Sequence, residues 1–154
     1  MAQSYPTKPV RFIVGFPAQG PNDVLARLLA EKLGQIWNQQ VIVVNQPGAG
    51  GGIAADALAK AAPDGHTAML AGGGTLSIKQ KLELGLPYDA QRDFAPVTLG
   101  VVYGYVLVVH PSIAANNVQE LIALAKAKPG QLTFGSTGLG AVNHLAGEMF
   151  KTMT

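Results

Sequence analysis

Two short stretches of this chain carry hydrogen-bond donors and little charge where a strand should hand over to a helix. Phe16-Pro17-Ala18-Gln19-Gly20-Pro21-Asn22-Asp23 lies between the apolar run Val10–Phe16 and a helical stretch over Val24–Trp37. Gly135-Ser136-Thr137-Gly138-Leu139-Gly140-Ala141 lies between Leu132–Phe134 and a helical stretch over Val142–Met153. A helix start leaves its first N–H groups unpaired and carries the positive end of the dipole, so each joint attracts an anion. Two such termini facing each other predict a carboxylate trap that needs no cationic side chain. Gln19 is a neutral donor, better matched to a carboxyl group than to a phosphate dianion, or else simply solvated. Ser136, Thr137, Asn143 and His144 add hydroxyl, amide and imidazole groups, with Ser136 or Thr137 as a cap and His144 on the surface as the plain alternative. Asp23 reads as an N-cap at the mouth of the first terminus, from where it also orients a water or a polar group of a ligand.

Other chemistries fit less well. A dinucleotide fingerprint starting at Gly48 fails, because Ile53 stands where its last glycine belongs and no acidic residue ends a following strand about 20 residues on. The phosphate-loop pattern is absent, and tight turns that let a helix approach its strand explain the glycines of Gly48–Gly52. His144 and Glu148 are one helical turn apart without a third ligand, so no metal site is expected. Ser77, Ser112 and Ser136 lack a nucleophile elbow, there is no cysteine, and His66 and His110 stand beside strands as packing or edge residues. No catalytic residue and no cofactor is assigned.

The elements that would place these joints alternate. Val10–Phe16, Val41–Asn45 and Thr67–Ala71 read as buried strands. The first helix opens at Pro21 with Asn22 or Asp23 and turns a stripe of Leu25, Leu28, Leu29, Leu33 and Ile36 inward. A second, alanine-rich helix follows Pro47–Gly52 through Ile53, Ala57, Leu58 and Ala61, and Pro63-Asp64-Gly65 stops it. Val97–Val102 and Tyr105–His110 are strand-like pieces broken at Gly104, and turns are expected at Leu86–Asp89 and Asp93–Pro96. Asn117-Val118-Gln119-Glu120 resembles a capping box for a helix that ends near Pro129-Gly130. Leu132–Phe134 is a further strand, and Val142, Leu145, Ala146, Met149, Phe150 and Met153 stripe the last helix. Strands without polar alternation, separated by helices, predict an α/β protein with a parallel sheet covered on both faces.

Composition agrees. The chain has 154 residues, 13% charged and 48% apolar, with a net charge of +2, which excludes disorder and leaves no nucleic-acid footprint. The longest uncharged apolar run, Val97–Val109, is too short to span a bilayer. Met1–Ser4 has neither a basic nor an apolar leader segment, so the protein is either cytosolic or has lost a signal and gained a start methionine.

With these residues in view, the chain resembles mature solute-binding proteins of tripartite tricarboxylate transporters (the Bug or TctC type). The resemblance is carried by Tyr5-Pro6-Thr7-Lys8-Pro9-Val10-Arg11-Phe12-Ile13-Val14 with Phe16-Pro17, Asn45–Gly51, Ala62–Gly65, Leu86–Asp89, Asp93–Val97 and His144–Glu148, in that order. It implies a type II periplasmic-binding-protein fold of two α/β lobes hinged over a carboxylated ligand, which is delivered to membrane permease subunits. It places the ligand on Ala18–Asp23 with Phe16, and on Gly135–His144 (Ser136, Thr137, Gly138, Gly140, Asn143 and His144), partly through waters. Gly72–Ser77, with Gly73, Thr75 and Ser77, would line the pocket and influence specificity. It implies a periplasmic protein whose signal has been removed.

The chain departs from the family where a second glycine is usual and Gln19 stands, and in Ala71–Gly74, which has fewer hydroxyl and amide groups. It is also about half the usual length. The expected division is a first lobe over 1–100 and an incomplete second lobe over 101–154, with the crossing in Leu99–Tyr105. A truncated product of this kind should expose apolar surface and invite dimerisation. Two other readings stand beside carboxylate capture: an α/β enzyme using its glycine loops for a phosphorylated substrate, and a fragment that binds nothing.

Overall fold

A computed structural model describes residues 5–82 and 85–154; Met1–Ser4, read above for leader signals, lies outside them. The three stretches read as strands form β1 (Val10–Val14), β2 (Val41–Asn45) and β3 (Thr67–Leu70). They make one parallel sheet in the order β2-β1-β3, with Val10 opposite Val41 and Arg11 opposite Thr67. α1 (Pro21–Trp37) connects β1 to β2, and α2 (Gly52–Ala59), entered through a turn at Ala49–Gly51, connects β2 to β3. The chain steps one way from β1 to β2 and back past β1 to β3. Right-handed crossovers then place α1 and α2 on opposite faces. Central β1 is accordingly buried at Val10, Phe12, Ile13 and Val14.

The helices do not bury the faces their large residues suggest. In α1 the inward positions are Asp23, Ala26 and Ala30, with Leu29 packed at the margin, whereas Leu28 and Ile36 are exposed. In α2 they are Ala54 and Ala55, and Ile53 faces outward. Alanine wins these places because a helix lying on a sheet through small side chains comes closer and loses fewer contacts to voids.

The expected loop at Gly72–Ser77 is instead helical. A single wide turn at Gly74–Ile78 runs into α3 (Lys79–Leu82). Beyond it the strand expectations fail: Val97–Val102, Tyr105–His110 and Leu132–Phe134 form no ladder among the described residues. Val97, Val102, Val106 and Val108 are each about four-fifths exposed or more, since no neighbouring strand lies beside them. Phe134 packs on a helix instead; its ring occupies the space a side chain at Gly147 would need. The last two helices form as read, α4 (Val118–Ala127) and α5 (Val142–Met153). Asn117 caps α4 by accepting from the Glu120 amide at 2.9 Å, and Glu120 answers on the Asn116 amide at 2.7 Å. Met149 and Met153 of the expected α5 stripe are exposed, and from residue 97 onward only Ala141 is buried among the described residues. No described helix is long and apolar enough to cross a membrane.

The glycine-loop reading holds for packing. A Cβ on Gly15 would lie 2.8 Å from the Gly51 Cα, and one on Gly51 would lie 2.5 Å from Thr75 Oγ1. Gly51 also sits at φ +90°, where a side chain is strained. Gly51→Ala should therefore cost about 2–4 kcal/mol, from left-handed backbone strain together with overpacking. Urea unfolding of the variant checks it, and a loss below about 0.5 kcal/mol would contradict this packing.

Candidate functional site

The three parallel strands deliver their outgoing loops to one edge of the sheet, and the winding direction reverses between β1 and β3. That is where a crevice opens in an open α/β sheet. The loop after β1 and the loop after β3 flank it, and a Cβ on Gly72 would meet the Phe16 ring at 3.7 Å.

At the first joint the cap position of α1 is Gly20, not Asp23. Asp23 lies in the first turn with its side chain only 2% exposed. Its Oδ2 accepts from the Gln19 amide at 2.8 Å and from Arg27 Nε at 3.0 Å, and its Oδ1 accepts from Asn45 Nδ2 at 2.9 Å. The Arg27 guanidinium first, then the Gln19 amide and Asn45, hold its carboxyl down to about 2 against the opposing effect of burial. Gln19 adopts φ +67°, a left-handed conformation uncommon for a residue with a Cβ. Its N–H points at Asp23. The first intrahelical bond runs from the Val24 amide to the Gly20 carbonyl at 3.0 Å, so the amides ahead of the ladder are those of Asn22 and Asp23. Pro21 has none. Ala18 and the Gln19 side chain are exposed beside them.

The second joint sits on the first region. A Cβ on Gly50 would contact the Leu139 carbonyl at 3.5 Å and the Ala141 nitrogen at 3.6 Å, and one on Gly74 would meet Val142 at 2.8 Å. Gly138 lies against the Gly50 amide, and both Gly138 (φ +125°) and Gly140 (φ +76°) adopt positive φ. The start of α5 has no side-chain cap. The Leu145 amide makes the first helical bond, to Ala141, so the amides of Val142, Asn143 and His144 precede it. Asn143 Oδ1 accepts from Thr137 Oγ1 at 3.0 Å, and Ser136 Oγ accepts from the Gly138 amide at 3.3 Å. His144 Nδ1 is buried without a hydrogen-bond partner.

Of the residues expected between the joints, Gly73 and Ser77 are exposed, and Ser77 Oγ donates to the Gly73 carbonyl at 2.6 Å. Thr75 is 1% exposed and gives its hydroxyl proton to the Gly50 carbonyl at 2.8 Å, while Tyr88 OH donates to the Thr75 carbonyl. Thr75 thus ties two loops together. The joints are linked through Gly51 and Gly72–Gly74 rather than by direct contact of Gln19 with Ser136.

Cations are nearer than the sequence suggested. Arg27 stands at the first joint, committed to Asp23 and Asn45, and Lys79 is buried with its Cε 3.5 Å from the Cβ position of Gly50. The Asp23–Arg27 spacing of four was a legible signal. Nothing local announces that Asn45, 22 residues on, closes the ring. Two apolar cavities of about 400 and 260 Å³ lie elsewhere, one between α3 and α5 and one at the start of α4.

The chain is similar in sequence and fold to known proteins. The profile of the tripartite tricarboxylate transporter family receptor matches residues 25–154. BugT of Bordetella pertussis is 39% identical over 154 residues, covering 99% of this chain and 47% of its own length. A structure of a periplasmic transporter superposes with a TM-score of 0.88 at 36% identity, over 97% of this chain and 50% of its own. A Rhodopseudomonas palustris protein solved with adipate gives 0.86 at 32%, over 97% and 50%. MatC from the same organism, with bound malate, gives 0.87 at 29%, over 96% and 51%. The chain spans about half the length of the curated relatives it matches.

The bonded Asp23 carboxylate sets an acid limit. Its folded-state value is below the ordinary 3.8, so its contribution is complete above that pH and disappears as pH falls towards 2. Asp64, held down to about 2 by Lys8 and the His66 amide, titrates in the same window. Urea midpoints measured from pH 5 to pH 2 should fall for the wild type and fall less steeply for Asp23→Asn. Parallel curves would contradict the assignment.

Proposed function

The chain belongs to the tripartite tricarboxylate transporter receptor family, and on that premise we propose that the whole protein captures a small carboxylate for a membrane permease. The observation that carries this reading is a pair of helix starts without side-chain caps, α1 and α5, whose loops both pack on the glycine loops at the outgoing edge of the sheet. The donors we assign to the ligand are the open amides of Asn22, Asp23, Val142, Asn143 and His144, with Gln19, Ser136 and Thr137 around them. The relatives solved with adipate and malate favour a C4–C6 dicarboxylate, and the family favours a periplasmic location. No catalytic role is assigned, because the site offers no base beside a nucleophile. We further propose that residues 1–100 form one lobe and 101–154 the beginning of another.

Each helix start supplies about 1–2 kcal/mol in a partly buried setting, so a micromolar site near 8 kcal/mol needs several hydrogen bonds acting together. Calorimetry of this chain, alone and joined to the second half of BugT, against adipate, malate, nicotinate, aspartate and a sugar phosphate tests the assignment. Heat with the dicarboxylates is expected, strongest in the longer protein. Heat with the phosphate alone would replace the reading with the enzyme alternative.

The exposed run from Val97 to Val109 supports a second expectation. A contiguous apolar surface of this kind draws partners, so the chain by itself should elute as a dimer or larger species in size-exclusion chromatography with light scattering. A stable monomer at 50 µM, on the order of ordinary working concentrations, would refute it.

A further inference from the structure

We propose that Arg27 and Asn45 are positioning residues of the first joint: they hold the Asp23 carboxylate, neutralised, against the Gln19 amide, so that the adjoining helix start stays open to a guest anion. This rests on the carboxylate reading above and adds residues that do not touch the guest.

An acid in the first turn of a helix is itself an anion at an anion site. Unrestrained, Asp23 would turn towards the amides of its own helix and repel any second negative charge beside them. Three donors from three different places prevent this. Arg27 comes from the next turn of α1, Asn45 from the end of β2, and the Gln19 amide from the loop itself. Arg27 Nη2 also donates to Asn45 Oδ1 at 3.2 Å, which closes a ring of three side chains. Asn45 Nδ2 donates in addition to the Phe16 carbonyl at 3.1 Å. The ring is therefore fastened to the loop at both of its ends, Phe16 and Gln19. That double attachment explains how Gln19 keeps its φ of +67° without being glycine.

The charge count follows from the same contacts. Among the described residues Arg27 is the charged group bonded to Asp23; Asn45 and the Gln19 amide are neutral. Tyr103, an uncharged group, donates to Asn22 Oδ1 at 3.3 Å. The Arg27 side chain is half exposed, so the pair adds little to stability on its own. Its effect is on local charge: with Arg27 the joint presents a neutral ring beside two open amides, and without it a buried carboxylate faces the guest.

Two measurements on the full chain test this. In ligand-free protein, Arg27→Met, which keeps the aliphatic stem, should speed hydrogen exchange of the Gln19 amide about tenfold while Ala30 in the middle of α1 is unchanged. In adipate titrations at pH 7, Arg27→Met should weaken binding about tenfold, and Asp23→Asn added to it should recover most of the loss, since removing the charge removes the repulsion. Arg27→Lys should fall between. Unchanged Gln19 exchange in Arg27→Met overturns the proposal, as does a double variant no better than the single. If the wild type gives no heat with adipate, the carboxylate reading fails by itself, and the exchange rates still decide whether the ring sets the loop.

Discussion

Three parallel strands end at one edge of a small sheet, and there the chain approaches itself too closely for a side chain at Gly15 or Gly51. Gly51 occupies what a side chain on Gly15 would need, Thr75 what one on Gly51 would need, and Phe16 closes over Gly72. The crowding follows from topology. Parallel strands joined by crossovers must all turn out on the same side, and the nearer α2 lies to β1, the less room its entry loop has. Small residues leave backbone exposed along that rim, beside the side chains of Gln19, Ser77, Ser136 and Thr137. The rim's chemistry is therefore that of amide groups, and helix starts give those amides a common direction.

Amide donors bind anions without the long-range attraction of a lysine, which makes the surrounding charge decisive. A helix start behaves as about half a positive charge, and a single misplaced carboxylate cancels it. The protein nevertheless keeps an acid, Asp23, within the first turn of α1. Its ionisation is sustained by Arg27 and by hydrogen bonds to both oxygens, and those bonds set the course of the loop. One side chain thus supports the fold and sits beside the site, and its neutralisation reconciles the two. Bridging water can complete such a site with little loss of affinity.

The framework was legible because its signals are strong and local. β1 is rich in β-branched and aromatic residues and β2 is nearly all β-branched, α1 begins with proline and ends before a left-handed Asn38, and the Asn117 cap is a short-range pattern. Three kinds of information were not. Apolar spacing named the leucines of α1 as its inner face, but distance to the sheet is set by its alanines. Gly74-Thr75-Leu76-Ser77-Ile78 follows a glycine run that reads as loop, yet it forms a helical turn pinned by the Thr75 and Tyr88 hydroxyls. Asp23 has the residue type of a cap, but Asn45 and Arg27 draw it inward, and the spacing from β2 cannot be read from α1.

The failed strands between Val97 and His110 show what β-propensity measures. Valine and tyrosine favour an extended chain, but a strand is completed only by a neighbour that takes its hydrogen bonds and covers its faces. Here Gly100 approaches Leu70 and Tyr103 reaches Asn22, without a ladder. The consequence for the site is direct. With Ala141 alone buried beyond residue 97, the start of α5 is fixed to the rest of the described structure largely by its loop pressing on Gly50 and Gly74. The contacts that hold the second helix start are then made by Gly50 and Gly74, the chain neighbours of Gly51 and Thr75 in the crowded loops of the sheet edge. A side chain added at Gly74 would therefore press on Val142, at the first position of α5, and shift the second set of amides before it disturbed the core beneath them.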